Sequence, residues 1–501
     1  MFRPHPSCNR LTPARLAVLA FLAGSLNLGQ TVLAQEESSA EPAVKKDKMT
    51  ELLDKLKDKG VIDEAEYDEL SGNTPEGRAE ARAERRRQAL KRAQEEEKEN
   101  ARKSYYNLRW NNGLVFETPD RASAVSLSGR IHADYRSFFD DSASSTFDIR
   151  RAYLTLSGKW NEWITWDVTG DFAQSTTTLD VAWFNLAFSD RAQLRFGQFK
   201  MPMTIEELTS SRFIDFQERS FVNKSAPAKE RGMMLHGVPM PGTTYALALS
   251  TGQGKNNIET TPQFDRPDVI GRVSANFAEF LGAQSRNIYH LGASYSQGTI
   301  APGTLSVGTE PRNGGSFFST NAFTGTGVDR MRMGLEGVVA LGPLKFQGEW
   351  MNVNYRGRSA ANVAYDRDIE SHYVSVLWMV TGERYADAYR NGVFGRIVPF
   401  TNFTPGGTGT GAFELGLRYS AFNGSDFTTA NAAGTGVLSS ATAASNQATA
   451  WTFQAKWIVN PNVRFILDYV DTEFGNPVRF ATGNVTTEHE RALTMRAALD
   501  F

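Results

Sequence analysis

The sequence has almost no cysteine. Its only cysteine, Cys8, lies ahead of the first apolar run. The cysteine of a lipoprotein would follow that run, so lipidation is not predicted. The remainder of the chain excludes a disulfide scaffold and a thiol-dependent enzyme.

Long hydrophobic runs are also scarce, and the mean hydropathy is −0.39. One apolar stretch, LAVLAFLAG (16–24), follows three arginines and precedes the small-residue pair Val32 and Ala34. This pattern is typical of a secretory signal peptide covering residues 1–34. The stretch is too short to favour a membrane anchor. An exported protein without a transmembrane helix is therefore predicted.

Residues 35–103 contain little that could form a core. The segment MTELLDKLKDKGVIDEAEYDEL (49–70) predicts two short helices separated by Gly60, with Asp63 as N-cap of the second. Residues 78–103 contain no glycine or proline and only a thin alanine and leucine stripe, which predicts a solvated helix or a weak coiled coil. We interpret 35–103 as a helical, charged periplasmic leader.

From about residue 104 the apolar residues recur at every second position. In VSLSGRIHADYR (125–136) and VDRMRMGLEG (328–337), one face is apolar and the other polar, as in a strand. Sixteen such segments are predicted: 124–139, 148–158, 163–173, 178–189, 192–200, 230–238, 243–251, 267–277, 288–297, 329–340, 344–355, 369–380, 412–422, 449–459, 463–474 and 488–501.

The connections between these segments alternate in length. NEW (161–163) and NPN (460–462) predict tight turns, whereas 298–328, 356–368, 381–411 and 423–448 are long and polar. An even strand number with short turns at one rim and long loops at the other favours an all-β, transmembrane antiparallel β-barrel of about 16 strands over residues 104–501. A soluble β-sandwich or β-solenoid is the competing architecture. Lipid offers no hydrogen-bond partner to backbone N–H and C=O groups. Strands with one apolar face can therefore cross a bilayer only in a sheet whose first and last strands pair to close it.

The segment ALTMRAALDF (492–501) keeps strict alternation and ends on an aromatic residue. We expect this last strand to pair with the first strand and close the ring. A barrel of this size is too wide for side chains to fill, so its lumen would hold water and act as a channel.

Arginine is the dominant cation of the barrel region. Residues 104–501 contain 28 Arg, 7 Lys and 37 Asp plus Glu. Alternation places eight basic and five acidic groups on polar faces: Arg130, Arg151, Arg272, Arg332, Arg418, Lys456, Arg464 and Arg496, against Asp134, Glu336, Glu414, Asp468 and Asp500. This census predicts a modest preference for anions. The alternative is that these arginines pair with the acids and stiffen the wall.

A long charged segment, MTIEELTSSRFIDFQERSFVNKSAPAKERG (203–232), joins the fifth and sixth predicted strands. Loops folded into the lumen are common in large barrels, and this segment is the candidate constriction. An ordinary surface loop is the alternative.

Four segments carry a family resemblance: SGRIHADY (128–135), RRAYLTLSG (150–158), FGQFKMP (196–202) and ELTSSRFIDFQERS (207–220). They resemble the phosphate-selective porin O/P family. The resemblance implies a sixteen-stranded barrel, usually a homotrimer in the outer membrane, that passes phosphate, polyphosphate or other small anions by diffusion.

The resemblance also implies site residues. The family's lumen arginines match Arg130, Arg150 and Arg151, although alternation puts Arg150 on the opposite parity, at the strand entrance. Arg212 matches the basic residue of the constriction loop, and Asp180 matches an acid that helps to gate phosphate, although parity does not place Asp180 cleanly inside. A later arginine row is represented only by RMR (330–332), with Arg332 facing inward, which puts strict phosphate selectivity in doubt.

Other function classes remain open at this point. A barrel enzyme has little support, because His132, His236, His290, His372 and His489 lie in no nucleophile-elbow or metal-binding motif. A general or weakly selective porin, or a structural barrel tethered to the cell wall or a periplasmic partner through 35–103, would share the same strands. The predicted partners are small anions and outer-membrane lipid. No catalytic residue, cofactor, metal or nucleic-acid partner is predicted.

Overall fold

The computed structural model describes residues 48–72, 75–103, 107–258, 266–282, 287–325, 327–440, 444–480 and 485–501. The predicted signal peptide lies outside the described residues. The chain divides into two compact units, residues 1–100 and 101–501.

Three helices precede the strands in the described residues: α1 (Lys48–Asp58), α2 (Glu64–Leu70) and α3 (Pro75–Lys103). Asp63 caps α2, accepting from the Glu66 amide while the Glu66 carboxylate accepts from the Asp63 amide. Gly60 ends the first helical segment with φ +68°, a conformation that favours glycine. Among the described residues, no helix combines the length and the apolar character that crossing a bilayer requires.

Sixteen antiparallel strands of the described residues form the barrel wall. In chain order they are β1 (Ala124–Phe138), β2 (Thr146–Trp160), β3 (Ile164–Asp171), β4 (Thr178–Ser189), β5 (Ala192–Lys200), β6 (Lys229–Gly237), β7 (Thr243–Ser250), β8 (Asp268–Asn276), β9 (Ile288–Ile300), β10 (Val328–Leu341), β11 (Leu344–Arg358), β12 (Ala364–Met379), β13 (Ala412–Asn423), β14 (Gln447–Asn460), β15 (Val463–Phe480) and β16 (Val485–Asp500). Each pairs with the next, and β16 pairs with β1 from Ala492↔Phe138 to Asp500↔Arg130. The ring is therefore closed, as predicted.

The two faces of the wall differ in burial as the alternation requires. On β1, His132 and Arg136 point inward and are 0% exposed, whereas Ile131, which directly precedes His132, is 43% exposed on the outside. The outward side chains of the other strands are similarly apolar and exposed, including Phe147 at 82%. An apolar outer band of this kind suits hydrocarbon, and the polar groups are kept for the interior.

Closure continues to the aromatic end of β16. Phe501 and Gly129 exchange both backbone hydrogen bonds, at 3.0 and 2.7 Å. The residues of β1 that precede Gly129 pair with a short hairpin (Asn107–Trp110 and Leu114–Glu117). In this pairing Leu114 lies opposite Leu127 and Glu117 opposite Ala124. The start of β1 therefore has a hydrogen-bonding neighbour beyond the end of β16.

Two of the predicted long loops are corrected by the structure. Strands β11 and β12 extend to Arg358 and from Ala364, so most of 356–368 is strand and only 359–363 connects them. The segment 380–411, here called T6, joins β12 to β13 at the same rim as the tight turns 161–163 and 461–462. The polar, glycine-containing composition of T6 does not show at which rim it lies. That assignment depends on counting every strand that precedes T6.

Three connections at the other rim fold into the barrel and share an aromatic core. They are L3 (201–228, between β5 and β6), L5 (301–327, between β9 and β10) and L7 (424–446, between β13 and β14). Phe221 of L3 lies 5.6 Å from Phe317 of L5, and Phe318 of L5 lies 5.3 Å from Phe427 of L7, between ring centroids. Because this core lies against β11–β15, it occupies one side of the lumen.

T6 occupies the lumen from the opposite rim. Its short helix (Tyr385–Ala388) and two-strand turn (Tyr389–Arg390 and Val393–Phe394) bury Tyr385, Tyr389 and Phe394 against inward residues of β9–β14 and against L3. Tyr389 is hydrogen-bonded to His290 of β9 at 2.7 Å, and the Tyr385 hydroxyl donates to Glu414 of β13 at 2.8 Å. L3 and T6 therefore meet inside the barrel.

Candidate functional site

L3 is held in the lumen by acidic side chains of the wall. The Glu349 carboxylate of β11 accepts from the amides of Ile205 and Glu206 at 3.0 and 2.9 Å, and Asp468 of β15 accepts from the Gln217 amide at 2.7 Å. These bonds satisfy backbone donors that burial would otherwise leave unpaired. The segment predicted as a constriction therefore crosses the interior and is not a surface loop.

A buried arginine fixes L3 and L5 together. Arg418 of β13 donates to Glu310 of L5 at 2.6 Å and to Glu206 of L3 at 3.3 Å. Glu206 also accepts from the amide and hydroxyl of Ser220, which returns the loop on itself. Arg418 and Glu206 thus act as structural groups that brace the constriction.

Most of the predicted lumen cations are paired in this way. Six of the eight inward basic groups form ion pairs: Arg272–Glu336, Arg332–Asp268, Arg418–Glu310, Lys456–Glu414, Arg464–Asp500 and Arg496–Asp134. Arg130 and Arg151 have no ion-pair partner among the described residues. Six of the eight basic groups therefore pair with acids, as the alternative of a stiffened wall requires. Arg130 and Arg151 are left to bind a ligand.

A β-bulge corrects the predicted position of Arg150. The register of β1 and β2 shifts between His132↔Arg151 and Ala133↔Ile149, so Arg150 is the extra residue. Arg150 consequently turns inward, and its Nε donates to Glu218 of L3 at 2.7 Å. Parity failed here because a bulge lets two consecutive side chains share one face.

A second bulge places Asp180. The pairing of β3 and β4 jumps from Thr169↔Val181 to Gly170↔Leu179, and Asp180 between them is buried. Its carboxylate accepts from Lys229 of β6 at 2.6 and 2.7 Å, from Tyr153 at 3.1 Å and from Lys255 at 3.4 Å. Asp180 therefore lies inside the barrel at the centre of a small cationic cluster.

One side of the lumen, facing β1–β8, contains a cavity of about 710 Å³. Its charged lining is mainly basic: Arg130, Arg151, Arg195, Lys200, Arg212, Arg219, Lys229 and Arg272, against Asp167, Asp180 and Glu207. Gly237 and Val238 also line it, so it reaches the rim of the tight turns. Excess positive charge in a confined cavity attracts anions.

Arg130 and Arg212 approach the cavity from the wall and from L3. Arg130 Nη1 donates to Ser211 at 2.8 Å, and its guanidinium lies 4.2 Å from the Tyr153 ring centroid. Arg212 makes a long contact, 3.5 Å, with the Gly129 carbonyl and forms no ion pair within the described part of the chain. Burial lowers the pKa of Arg212, and the approach of Arg464 adds to this although Asp500 opposes it. An anion would relieve these unpaired guanidinium groups.

The six predicted site residues do not form one group. Arg130, Arg151, Asp180 and Arg212 line the cavity. Arg150 is bound to Glu218. Arg332 lies 3.5 Å from Asp268 of β8, beside Arg330, whose Nη2 donates to Asp268 at 2.7 Å and to the Gly252 carbonyl at 3.0 Å. Arg332 is therefore held in an ion-paired cluster outside the residues that line the cavity.

Sequence reasoning missed Arg195. It faces the cavity from β5, with its guanidinium 4.2 Å from the Trp183 ring centroid, and its buried Nε has no hydrogen-bond partner. The alternation of LRFGQFK (194–200) contained the signal, because Arg195 shares a parity with Gly197 and Phe199 and opposes Leu194 and Phe196. Lys229 was counted with the charged loop 203–232 and not with the wall, because it begins β6 directly after that loop.

Comparisons with known proteins agree with this architecture. A sequence profile of the family described as phosphate-selective porin O and P matches residues 125–501. Porin O of Pseudomonas aeruginosa is 24% identical over 347 residues, which cover 61% of this chain and 74% of that protein.

Solved outer-membrane structures are similar at lower identity. An anion-selective porin from Comamonas acidovorans is 12% identical with a TM-score of 0.49, covering 76% of this chain and 100% of its own. The outer membrane channel DcaP of Acinetobacter baumannii is 10% identical with a TM-score of 0.49, covering 77% and 99%.

Proposed function

Because the chain belongs to the phosphate-selective porin O and P family, we propose that this outer-membrane porin is a diffusion channel for small anions such as phosphate or polyphosphate. The protein is a channel rather than an enzyme, and its apolar outer band lies in the outer membrane.

The observation that carries the proposal is the separation of paired and unpaired arginines. Arg418, Arg464 and Arg496 are bound to carboxylates on the side of the barrel that L3 occupies. Arg130 and Arg151 have no carboxylate partner among the described residues and line the cavity. A guanidinium presents a two-pronged donor to phosphate or carboxylate, so the unpaired groups supply low-energy positions for anions in transit.

The ion pairs also support a preference for anions in general over strict phosphate selectivity. Arg332, the nearest equivalent of the family's later arginine row, is paired with Asp268. Asp180 in turn neutralises Lys229. A long continuous row of free cations is thus not supported, and a moderately selective anion channel follows.

Planar-bilayer recordings test the proposal. Under a potassium chloride gradient, the wild-type reversal potential should have the sign of anion permeation, and phosphate should reduce the chloride current. Arg212→Ala should shift the reversal potential toward zero, because it removes an unpaired cation from the cavity. Arg356→Ala, whose side chain is 62% exposed and paired with Asp366, is the control. Cation permeation by the wild type, or equal effects of the two variants, would overturn the proposal.

We further propose that the barrel is a homotrimer and that residues 35–103 are a helical, charged periplasmic leader. The outer face of β13–β16, β1 and β2 contains an apolar groove of about 670 Å³. Small outward residues, Ala133, Ala455 and Ala497, lie between the rings of Phe147, Trp457 and Phe465 there, which supports close contact with another barrel. Native mass spectrometry of the full chain in detergent should give three copies; a monomer would contradict the assembly. Pull-down with cell-wall sacculi tests the leader.

A further inference from the structure

The same cavity has an apolar wall that a channel for hydrated inorganic anions alone does not need. Met234 of β6, Phe199 of β5 and Trp183 of β4 all line it. Behind them, Met201, Ala248 and Ile270 complete a buried apolar cluster, and Phe199 and Met234 are only 1% and 6% exposed. The partly buried ring of Trp183 packs against this cluster and is the part of the patch that presents apolar surface to the cavity.

A cation lies directly on this patch. The Arg195 guanidinium is 4.2 Å from the Trp183 ring centroid and 5.9 Å from that of Phe199. Within the described residues it forms no ion pair, and its buried Nε has no hydrogen-bond partner. Stacking uses the face of the guanidinium and leaves its edge free for the two oxygens of a carboxylate.

A second cation of the lining repeats the arrangement. Arg130, which lines the same cavity, lies 4.2 Å from the Tyr153 ring centroid. The anion positions of this cavity therefore combine a guanidinium edge with adjoining ring surface. Fully hydrated phosphate gains only from the charged edge, whereas an anion with a flat apolar body also removes ring surface from water.

We propose that this cavity selects organic anions with a flat apolar body, of which aromatic carboxylates are the simplest class. The carboxylate binds the edge of Arg195 and the ring of the ligand packs against Trp183. This inference rests on the proposed anion channel and names the solute that its cavity favours.

Block of chloride current by benzoate, acetate and inorganic phosphate tests the inference on the wild-type protein. Benzoate and acetate share the carboxylate and differ in the ring. Half-block by benzoate should need roughly 10-fold less anion than half-block by acetate, which corresponds to about 1.4 kcal/mol. Equal concentrations would overturn the inference while leaving the anion channel intact; a cation-selective reversal potential would instead overturn the proposed function.

Two variants locate the effect. Trp183→Ala should remove the advantage of benzoate and leave block by acetate unchanged, whereas Arg195→Gln should weaken both. Phe184→Ala is the matched control, because Phe184 is the next residue on β4 and is 46% exposed on the outer face. Heat-modifiable migration in gels verifies that each barrel is folded. Retention of the benzoate advantage in folded Trp183→Ala would overturn the assignment to this patch, and the wild-type comparison decides the solute class even where a variant does not fold.

Discussion

At the scale of single residues, the balance of the lumen charge depends on Glu218. Its carboxylate accepts from Arg150 at 2.7 and 3.2 Å and from Arg496 at 2.9 Å. Burial raises the pKa of Glu218, but Arg150, Arg496 and Arg151 outweigh burial and hold the pKa well below its ordinary value. Glu218 therefore stays ionised at neutral and mildly acidic pH, and the stability it contributes is complete above the ordinary glutamate pKa and is lost progressively as the pH falls from there through the lowered pKa.

Glu218→Gln should consequently make the channel more anion-selective. The substitution removes one negative charge and leaves Arg150 free to attract anions, at the cost of a weaker attachment of L3. Reversal potential under a salt gradient measures the first effect and thermal unfolding in detergent the second. Glu473→Gln, on the exposed face of β15, is the control. Unchanged selectivity in Glu218→Gln would show that Glu218 is remote from the ion path.

A second residue-scale prediction concerns closure. A Cβ placed on Gly129 would lie 2.6 Å from Phe501 Cζ and 2.9 Å from the Tyr153 carbonyl oxygen, closer than packed atoms tolerate. Gly129→Ala should therefore destabilise the barrel by about 1–3 kcal/mol, as overpacking does. Urea unfolding followed by tryptophan fluorescence measures it.

Gly271→Ala is the matched control for closure, because a Cβ there meets no atom within 4 Å. Its unfolding midpoint should stay close to that of the wild type. Equal midpoints for the two alanine variants would mean that the β1–β16 seam accommodates the methyl group and that the ring of Phe501 is not closely packed.

At the scale of elements, the strands were predictable and the interior connections were not. All sixteen predicted segments coincide with wall strands, because the bilayer and the lumen impose opposite polarity on alternate residues. The inward positions of Arg150 and Asp180 could not be derived, since each depends on a bulge that breaks the parity. The inward folding of T6 depends on long-range contacts, Tyr389 with His290 and Tyr385 with Glu414, which no local pattern encodes.

L3 offers an element-scale prediction. Asp468→Ala removes the acceptor of the Gln217 amide, a buried hydrogen bond to a charged group that is worth about 1.5–3 kcal/mol. The middle of L3 should detach from β15, with more open-channel noise and weaker anion selectivity in single-channel records. Asp471→Ala, at a partly exposed outward position of β15, should leave the records unchanged. Steady wild-type currents in Asp468→Ala would show that the remaining contacts, including the bond from Arg496 to the Gln217 carbonyl at 2.6 Å, hold the middle of L3 without Asp468.

At the scale of the whole molecule, the barrel is divided lengthwise. The side formed by β9–β15 carries buried apolar residues, ion pairs and hydrogen bonds that support L3, L5 and T6, whereas the side formed by β1–β8 carries the cavity. Ion pairs and packed rings on one side hold the loops in place, and the unpaired Arg130, Arg151 and Arg195 line the cavity on the other side. Support and passage therefore use different strands of one continuous sheet.

Cysteine reactivity tests this division, because a Cys8→Ser background contains no other thiol. Ser128→Cys and Ser157→Cys would place thiols on the cavity lining, whereas Ser371→Cys and Ser420→Cys would place them at 0% exposure on the supporting side. The first pair should react with methanethiosulfonate reagents, and faster with an anionic reagent than with a cationic one of similar size, because the lining is mainly basic. The second pair should stay unmodified in the folded barrel and react after denaturation. Equal labelling of all four thiols would mean that water and ions fill the whole cross-section of the barrel. Faster reaction of the first pair with the cationic reagent would mean that the unpaired arginines do not set the electrostatic potential along the ion path.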